Sequence, residues 1–178
     1  MTLKPSTEAP LYTGQLRDTP LGDFWLAVSD LGLVAVYWVN SQAGFEAYLA
    51  KRFKRPVQPD ALLTIGAAEQ IWEYLAGTRR KFTIAIDWSL MRPFQQGVLK
   101  ITYEIPYGET RTYGDIAHQI GNPHAARAVG RAQATNPMPL VIPCHRVIGR
   151  DGKLHGYGAG EGLPTKEWLL RLEGAVMA

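Results

Sequence analysis

The first half of the chain alternates short apolar runs with turn signals. Three runs are strand candidates, the first interrupted by Gly14: residues 12–16, 24–28 and 33–39. Between them lie TPLG at 19–22 and DLG at 30–32, which are typical of tight turns. Short strands joined by short turns predict an antiparallel meander.

Two helical periods follow these strands. The first begins after Ser41, a residue type that caps helices, and repeats at every fourth position: Phe45, Leu49 and Phe53. The second stops at Gly77 and has this apolar period: Ile65, Ala68, Trp72 and Leu75. We therefore predict two helices. Apolar residues then alternate over 82–86, which predicts a late or edge strand.

The pattern changes from strand-rich to helical around residues 87–93, so we predict a domain boundary there. The N-terminal domain would span 1–91 and the C-terminal domain 92–178. The second domain opens with an apolar helical face that Pro106 cannot extend: Phe94, Val98, Ile101 and Ile105. The predicted fold class is α+β, with an antiparallel sheet followed by a mostly helical domain.

Two further helices joined by a short turn are predicted within residues 112–134. Thr112 and Asp115 form a candidate capping box. The first helix ends at Gly121 and has this apolar face: Tyr113, Ile116, Ala117 and Ile120. Asn122 and Pro123 suit the cap and first position of a second helix, predicted from 123 to 134. Such spacing is that of a helix-turn-helix.

Basic residues concentrate around this motif. The net charge is +3, and residues 111–150 hold five arginines against one acid. A modest basic run is more often a solvated face than a polyanion site. Here, however, His124, Arg127 and Arg131 form one stripe on a helix otherwise rich in small residues. DNA binding and plain core packing both remain open for this helix.

Composition excludes several classes of protein. The chain has 178 residues, 46% hydrophobic and 20% charged, which suits one or two packed domains. No apolar run approaches the roughly 20 residues of a membrane span, and residues 1–10 resemble neither a signal nor a transit peptide. We therefore expect a cytoplasmic protein that does not bind membranes. The single cysteine, Cys144, excludes an internal disulfide and paired-cysteine zinc motifs.

Cys144 lies in the proline-rich segment NPMPLVIPCHRV at 136–147. The buried run 140–142 and Pro143 predict that the thiol sits at the end of a short strand. A thiol reacts as thiolate and needs a base or a positive field, which His145 and Arg146 offer. Adjacent residues point to opposite sides of a strand, so Cys144 and His145 can cooperate only on a turn, through a bridging water. An isolated cysteine is more often a small core residue.

A carboxylate that could orient His145 follows in the last predicted helix. That helix begins near Pro164 and has these apolar residues: Leu163, Trp168, Leu169 and Leu172. Glu173, four residues after Leu169, lies beside the buried face. Taken alone, Glu173 is more simply a solvated helix-end acid, and His145 is as often a satisfied histidine as a catalytic one.

These segments together resemble the O6-alkylguanine-DNA alkyltransferases, also called methylated-DNA-protein-cysteine methyltransferases. The similarity runs from about residue 93 to 174 and is most specific at IPCHRVI, residues 142–148, and ARAVG, residues 126–130. It also includes IPYGE at 105–109, NP at 136–137, and KEWLL at 166–170 with Glu173. The N-terminal half matches only in layout, an RNase H-like α+β module.

The resemblance implies DNA repair by direct reversal of damage. The helix-turn-helix would bind double-stranded DNA containing O6-alkylguanine from the minor groove. The base would be flipped out, since its O6 group faces the major groove. Cys144 would accept the alkyl group in one irreversible turnover. No cofactor is implied, because the DNA supplies the alkyl group, and no metal, membrane or obligate protein partner; the protein would act as a monomer. Activity on O4-alkylthymine stays open.

Matching positions also imply residue roles. His145 would be the water-mediated base, Glu173 would orient it, and Arg127 would fill the space left by the flipped base. Tyr113 would either crowd the 3′ phosphate or contact the base, and Asn136 would brace the turn before the cysteine. The remaining DNA or substrate contacts are implied for the backbone at Cys144 and Val147, and for Tyr157 and Gly158.

Three features depart from the family pattern. The loop 156–164 is about two residues longer than usual, so Gly158, Ala159 and Gly160 all stay open as the amide donor to O6. Arg131 stands where the family usually has a small residue, and Gln133 where it often has an apolar one.

Two functions of other classes remain as alternatives. A lesion-binding protein would recognise alkylguanine without repairing it, but such relatives replace the cysteine that this chain keeps. A Cys-His-Glu acyl hydrolase would turn over activated esters repeatedly, and it leaves the Arg127 helix unexplained.

Overall fold

The computed structural model describes residues 9–38 and 41–175. The chain forms two compact units, one ending at Leu90 and the other beginning at Met91. Within the described ranges, no helix combines the length and the apolar character that crossing a bilayer would require. Residues 1–8 of the polar N-terminal segment lie outside those ranges. So does Val39, the predicted end of the third strand.

The first unit is built on a four-stranded sheet. Its strands are β1 (Leu11–Thr19), β2 (Gly22–Ser29), β3 (Gly32–Tyr37) and β4 (Val57–Pro59), in the order β3-β2-β1-β4. β1, β2 and β3 pair antiparallel, whereas β4 pairs parallel with β1. The predicted meander is therefore confirmed. The helices of this unit are α1 (Gln42–Phe53) and α2 (Ala61–Leu75), followed by a 3-10 turn at Trp88–Leu90.

Helix α1 forms as predicted, but α2 buries a different face from the predicted one. Ser41 Oγ accepts the amide of Gly44 at the start of α1. In α2, Ile65 and Trp72 are 53% and 48% exposed, and the buried residues are Thr64, Ala67, Ile71, Tyr74 and Leu75. The physical reason is close packing at Gly14, where a Cβ would lie 1.9 Å from Thr64 Oγ1. The side chains that pack inward are therefore those on the same face as Thr64, and they include the large residues Ile71, Tyr74 and Leu75.

The predicted strand over 82–86 does not form. Only an isolated parallel bridge joins Leu33 to Ile86, with the Leu33 amide donating to Ala85 O at 2.8 Å. Asp87 ends this contact, since its amide donates to Leu33 O at 3.0 Å and the chain then turns. Its carboxylate accepts hydrogen bonds from Ser29 Oγ at 2.6 Å and from the Ser89 amide at 3.0 Å, and the 3-10 turn follows at once.

The second unit is mostly helical. Its helices are α3 (Pro93–Tyr103), α4 (Tyr113–Gln119), α5 (Ala126–Ala134) and α6 (Leu163–Leu172). A 3-10 turn spans Cys144–Arg146, and the short strands β5 (Arg111–Thr112) and β6 (Val147–Ile148) pair parallel. Residues from α3, α4 and α5 share one core with Val147: Val98, Ile116, Ala117, Val129 and Ala132. Phe94, predicted on the buried face of α3, is 42% exposed.

The helix-turn-helix forms with a later second helix than predicted. The capping box is present, with the Asp115 amide donating to Thr112 Oγ1 at 3.1 Å and the Thr112 amide to Asp115 Oδ2 at 2.8 Å. Gly121, at φ +80°, ends the first helix. Asn122 O accepts the amide of Ala125, so residues 122–125 form a turn and Pro123 is not helical. Helix α5 therefore starts at Ala126, and His124 precedes it.

Candidate active site

A proline-rich turn, rather than the predicted short strand, leads into the cysteine. Leu140 has a left-handed backbone at φ +73°, and the Ile142 amide donates to Met138 O at 2.8 Å. Asn136 joins both ends of this turn. Its Nδ2 donates to Ile142 O at 2.9 Å, and its Oδ1 accepts the Met138 amide at 3.0 Å. The prolines lack the N–H groups that a strand ladder needs. The two hydrogen bonds of Asn136 hold the turn that leads to Cys144.

Cys144 and His145 lie on a 3-10 turn and both are buried. A turn at this point is what cooperation between these two adjacent residues requires. His145 Nε2 lies 2.9 Å from Glu173 Oε1, and both side chains are fully shielded from solvent. Glu173 is the C-cap residue at the end of α6. The plainer interpretation of Glu173, an exposed helix-end acid, is therefore wrong.

Arg146 completes a buried ion pair that the sequence argument did not assign. Its Nε donates to Glu173 Oε2 at 2.9 Å, and its Nη2 donates to Glu173 Oε1 at 2.8 Å. Its Nη1 also donates to the Ile105 carbonyl. The amide of Gly108 gives Glu173 Oε2 a further bond at 3.2 Å. The carboxylate is thus held by four hydrogen bonds from three residues, which fixes the geometry that it imposes on His145.

Burial and these contacts set the protonation states. Burial opposes ionisation of Glu173, but the hydrogen bonds from His145 and Arg146 outweigh it and hold the pKa of the carboxyl well below its usual value. Burial lowers the pKa of His145, so the imidazole is neutral at neutral pH. Burial raises the pKa of the Cys144 thiol, although the Asn136 side chain and the Lys166 charge act in the opposite direction. Burial thus favours the thiol form of Cys144 and the neutral form of His145.

Lys166 is a second buried cation. From the sequence it had been noted only as the first residue of KEWLL, without a role of its own. Its Nζ donates to Val147 O at 2.7 Å and to His155 O at 3.0 Å. The ammonium also lies 6.0 Å from the centre of the Tyr113 ring. Burial lowers the pKa of Lys166 to about 8, while Cys144 acts to raise it. Lys166 therefore ties the start of α6 to the strand after the cysteine. A charged residue inside an apolar helical period was the signal for it.

A cavity of about 280 Å³ opens at Cys144. Its other lining residues come from α4, α5 and the loop after β6: Tyr113, Gly130, Gln133, Ala134, Gly156, Tyr157 and Gly158. Of the three possible amide donors in the loop, Gly158 alone lines the cavity. A Cβ on Gly158 would lie 3.0 Å from Ala134 O, so the loop approaches α5 closely there.

Several predicted site residues lie away from this lining. His145, Glu173 and Asn136 are not among the lining residues, and Val147 is buried with its carbonyl bound to Lys166. Arg127 is exposed on α5 together with Arg131, and His124 is exposed on the preceding turn. In the described ranges neither arginine forms an ion pair with a carboxylate. The same ranges hold no cluster of three or more His, Cys, Asp or Glu that could bind a metal.

Comparisons with known proteins match both units. Residues 93–175 match the 6-O-methylguanine DNA methyltransferase, DNA binding domain, and residues 11–88 match the ribonuclease-like domain of the same family. The chain therefore belongs to the 6-O-methylguanine DNA methyltransferase family, and the predicted family and fold class are confirmed.

Individual relatives cover nearly the whole chain. A methylated-DNA--protein-cysteine methyltransferase of Mycolicibacterium paratuberculosis is 45% identical over 88% of this chain and 88% of its own length. One of Methanosarcina acetivorans is 40% identical over 89% and 96%. The crystal structure of Mycobacterium tuberculosis OGT in complex with DNA superposes with a TM-score of 0.73 at 40% identity, covering 93% of this chain and 92% of that one.

Proposed function

We propose that this protein repairs double-stranded DNA by taking the alkyl group of O6-alkylguanine onto Cys144, once per molecule. The observation that carries the proposal is the Cys144 thiol at a cavity wall, with the next residue, His145, held 2.9 Å from Glu173. Family membership and the helix-turn-helix of the same unit support DNA as the source of the alkyl group.

The chemistry is a displacement at the alkyl carbon. Neutral His145 takes the thiol proton through a bridging water. With Nε2 bound to Glu173, the proton enters at Nδ1. The sulfur then bonds to the alkyl carbon as the carbon–O6 bond breaks. The electron pair of the broken bond stays on the guanine. One proton returns to the base, so the products are guanine and an S-alkylcysteine. The thioether leaves no thiol for a second cycle, and no cofactor enters the balance.

The second unit offers surfaces for the other steps. Exposed Arg127 would enter the stack where the base has left, and Arg131 would add a phosphate contact. Tyr113, Tyr157 and the Gly158 amide, all at the cavity, would contact the flipped base. Asn136 supports the cysteine turn through its hydrogen bonds to Ile142 and Met138. The backbone at Val147 would hydrogen-bond the edge of the flipped guanine. These roles are proposals for each named residue.

We also propose the domain limits 1–91 and 92–178, action as a monomer and a cytoplasmic location. The unit division at Leu90 and Met91 supports the limits. The proposed transfer needs Cys144 as a thiol, which a reducing compartment would maintain.

The test follows loss of O6-methylguanine from a duplex by nucleoside chromatography, with increasing amounts of protein. We expect loss to rise linearly and to stop at one lesion per protein molecule. Cys144→Ala and Cys144→Ser should bind the lesion duplex, measured by fluorescence anisotropy, and remove nothing. Removal by Cys144→Ala would overturn the proposal, and lesion-selective binding by wild type without removal would favour the lesion-binding alternative. Repeated turnover of an activated ester would favour the hydrolase.

A further inference from the structure

Two residues of the cavity lining each carry a buried polar atom that takes no part in the proposed transfer step. Gln133 and Tyr157 both line it. Gln133 Oε1 and the Tyr157 hydroxyl are buried and have no hydrogen-bond partner among residues 9–38 and 41–175. Buried polar atoms are nearly always paired, since an unpaired one is costly. Two such atoms on residues lining one cavity point to a ligand with polar atoms of its own.

The neighbouring helix α3 sets the direction of the Gln133 amide. Gln133 Nε2 donates to Thr102 Oγ1 at 2.6 Å. The Thr102 hydroxyl donates its only proton to Val98 O at 2.9 Å. Because that hydroxyl has no second proton, it can only accept from Gln133, so the amide nitrogen faces Thr102. The remaining polar atom of Gln133 is therefore Oε1, a hydrogen-bond acceptor.

Tyr157 supplies the complementary atom. Burial, with Cys144 and Glu173 nearby, raises the pKa of Tyr157 well above its usual value, so the hydroxyl keeps its proton. The cavity lining thus includes one residue with a buried acceptor and another with a buried donor. A ligand hydroxyl is complementary to both, because it donates one hydrogen bond and accepts others.

We propose that Gln133 is a specificity-determining residue, which makes the cavity favour O6-alkyl groups with a terminal hydroxyl, such as 2-hydroxyethyl, over apolar groups of the same length. This rests on the function proposed above. A hydroxyl would donate to Gln133 Oε1 and accept from Tyr157, whereas an n-propyl group leaves both atoms unpaired. Sites built to bind a polar group reject analogues that lack it. The transfer step is unchanged: the sulfur–carbon bond forms, the carbon–O6 bond breaks, and the thiol proton ends on guanine.

The test compares second-order rate constants for O6-(2-hydroxyethyl)guanine and O6-n-propylguanine in one duplex. Their ratio in each variant cancels the intrinsic reactivity of the two groups. In Gln133→Met, which keeps the length of the side chain without its amide, we expect the hydroxyethyl-to-propyl ratio to fall roughly 3- to 10-fold, the value of one hydrogen bond. Thr102→Val, which releases the amide without altering the lining, should give an intermediate fall. Gln42→Met, at an exposed position of α1, should keep the wild-type ratio.

O6-methylguanine measured in parallel separates the two proposals. Absence of methyl transfer by wild type would overturn the proposed function itself. Normal methyl transfer with the same hydroxyethyl-to-propyl ratio in wild type, Gln133→Met and Thr102→Val would overturn the role of Gln133 alone. If circular dichroism shows that Gln133→Met is unfolded, Thr102→Val decides. A wild-type preference for O6-carboxymethylguanine that Gln133→Met loses would overturn the acceptor orientation.

Discussion

The cysteine turn and the helix α5 both carry arginine within the same basic stretch, but they place it in opposite environments. Arg146 is buried and bound to Glu173 by two hydrogen bonds, whereas Arg127 and Arg131 are exposed and form no ion pair with a described carboxylate. Counting charge along residues 111–150 treats the three alike. Of these three arginines, only the exposed Arg127 and Arg131 can neutralise phosphate, while Arg146 fixes the carboxylate that orients His145.

The largest effect is expected when the buried pair is broken. Glu173→Gln leaves the charge of Arg146 buried without its partner, which should lower the free energy of unfolding by about 3–5 kcal/mol. It also removes the carboxylate that orients His145, so the rate constant of methyl transfer should fall at least about 100-fold. Urea denaturation and the nucleoside assay, run where circular dichroism shows folded protein, measure the two effects.

Glu167→Gln is the matched control, since Glu167 pairs with Arg171 on the exposed side of α6. An exposed pair of this kind contributes little, so the free energy of unfolding should change by about 0.5 kcal/mol or less. If Glu173→Gln and Glu167→Gln lost the same free energy of unfolding, the proposed difference between the buried and the exposed ion pair would be wrong.

Acid should weaken the buried pair in a defined pH window. The pKa of Glu173 is lowered in the folded protein, so its contribution is fully present above the usual carboxyl value of 4.5 and is lost as the pH falls below it. The difference in unfolding free energy between wild type and Glu173→Gln should therefore shrink below pH 4.5. Asp115 and Asp151, whose pKa values are also lowered, occur in both proteins and cancel. A difference that stays constant with acidification would show that Glu173 is not held ionised.

On the exposed side, Arg127→Ala should change DNA binding and leave the fold intact. Its loss should weaken binding of a lesion duplex about tenfold and reduce the slope of log affinity against log salt by about one. The free energy of unfolding should move by no more than about 0.5 kcal/mol, because the side chain is exposed. Arg17→Ala, at an exposed arginine of β1, is the control for loss of one positive charge. Equal weakening by both variants would mean that net charge, not α5, sets the affinity.

The smallest effect is expected from Arg131→Ala. A phosphate contact alone should contribute about threefold to affinity, with a salt slope again lower by about one. Anisotropy titrations at several salt concentrations measure both quantities. A loss larger than that of Arg127→Ala would reverse the roles proposed for the two arginines.

Local signals in the sequence predicted the elements whose ends are set by single residues. The capping box of Thr112 and Asp115 and the stop at Gly121 formed as expected, because their hydrogen bonds and backbone angles are local. The face of α2 could not be predicted, since it depends on Gly14, which lies about fifty residues earlier in the chain. Residues 82–86 have a strand pattern, but in the described chain only Ile86 bridges to a strand, at Leu33, and no local signal identifies that distant partner.

The site shows the same division between local and long-range information. Cys144 and His145 could be singled out because they are adjacent in a rigid segment, and Glu173 because of its place beside a buried helical face. The binding of Arg146 to Glu173 and of Lys166 to Val147 joins residues far apart in the chain. No spacing rule contains those contacts, so from the sequence Arg146 had only the role of a positive field near the thiol, and Lys166 had no role.

Intact-protein mass spectrometry tests the central claim most directly. Protein is mixed with an equimolar duplex carrying one O6-methylguanine, and the peptide containing Cys144 is then mapped. We expect a gain of one methyl group per protein, confined to that peptide and saturating at one even with excess duplex. Tight, lesion-selective binding with no gain in mass, or a methyl group on any other residue, would contradict the account.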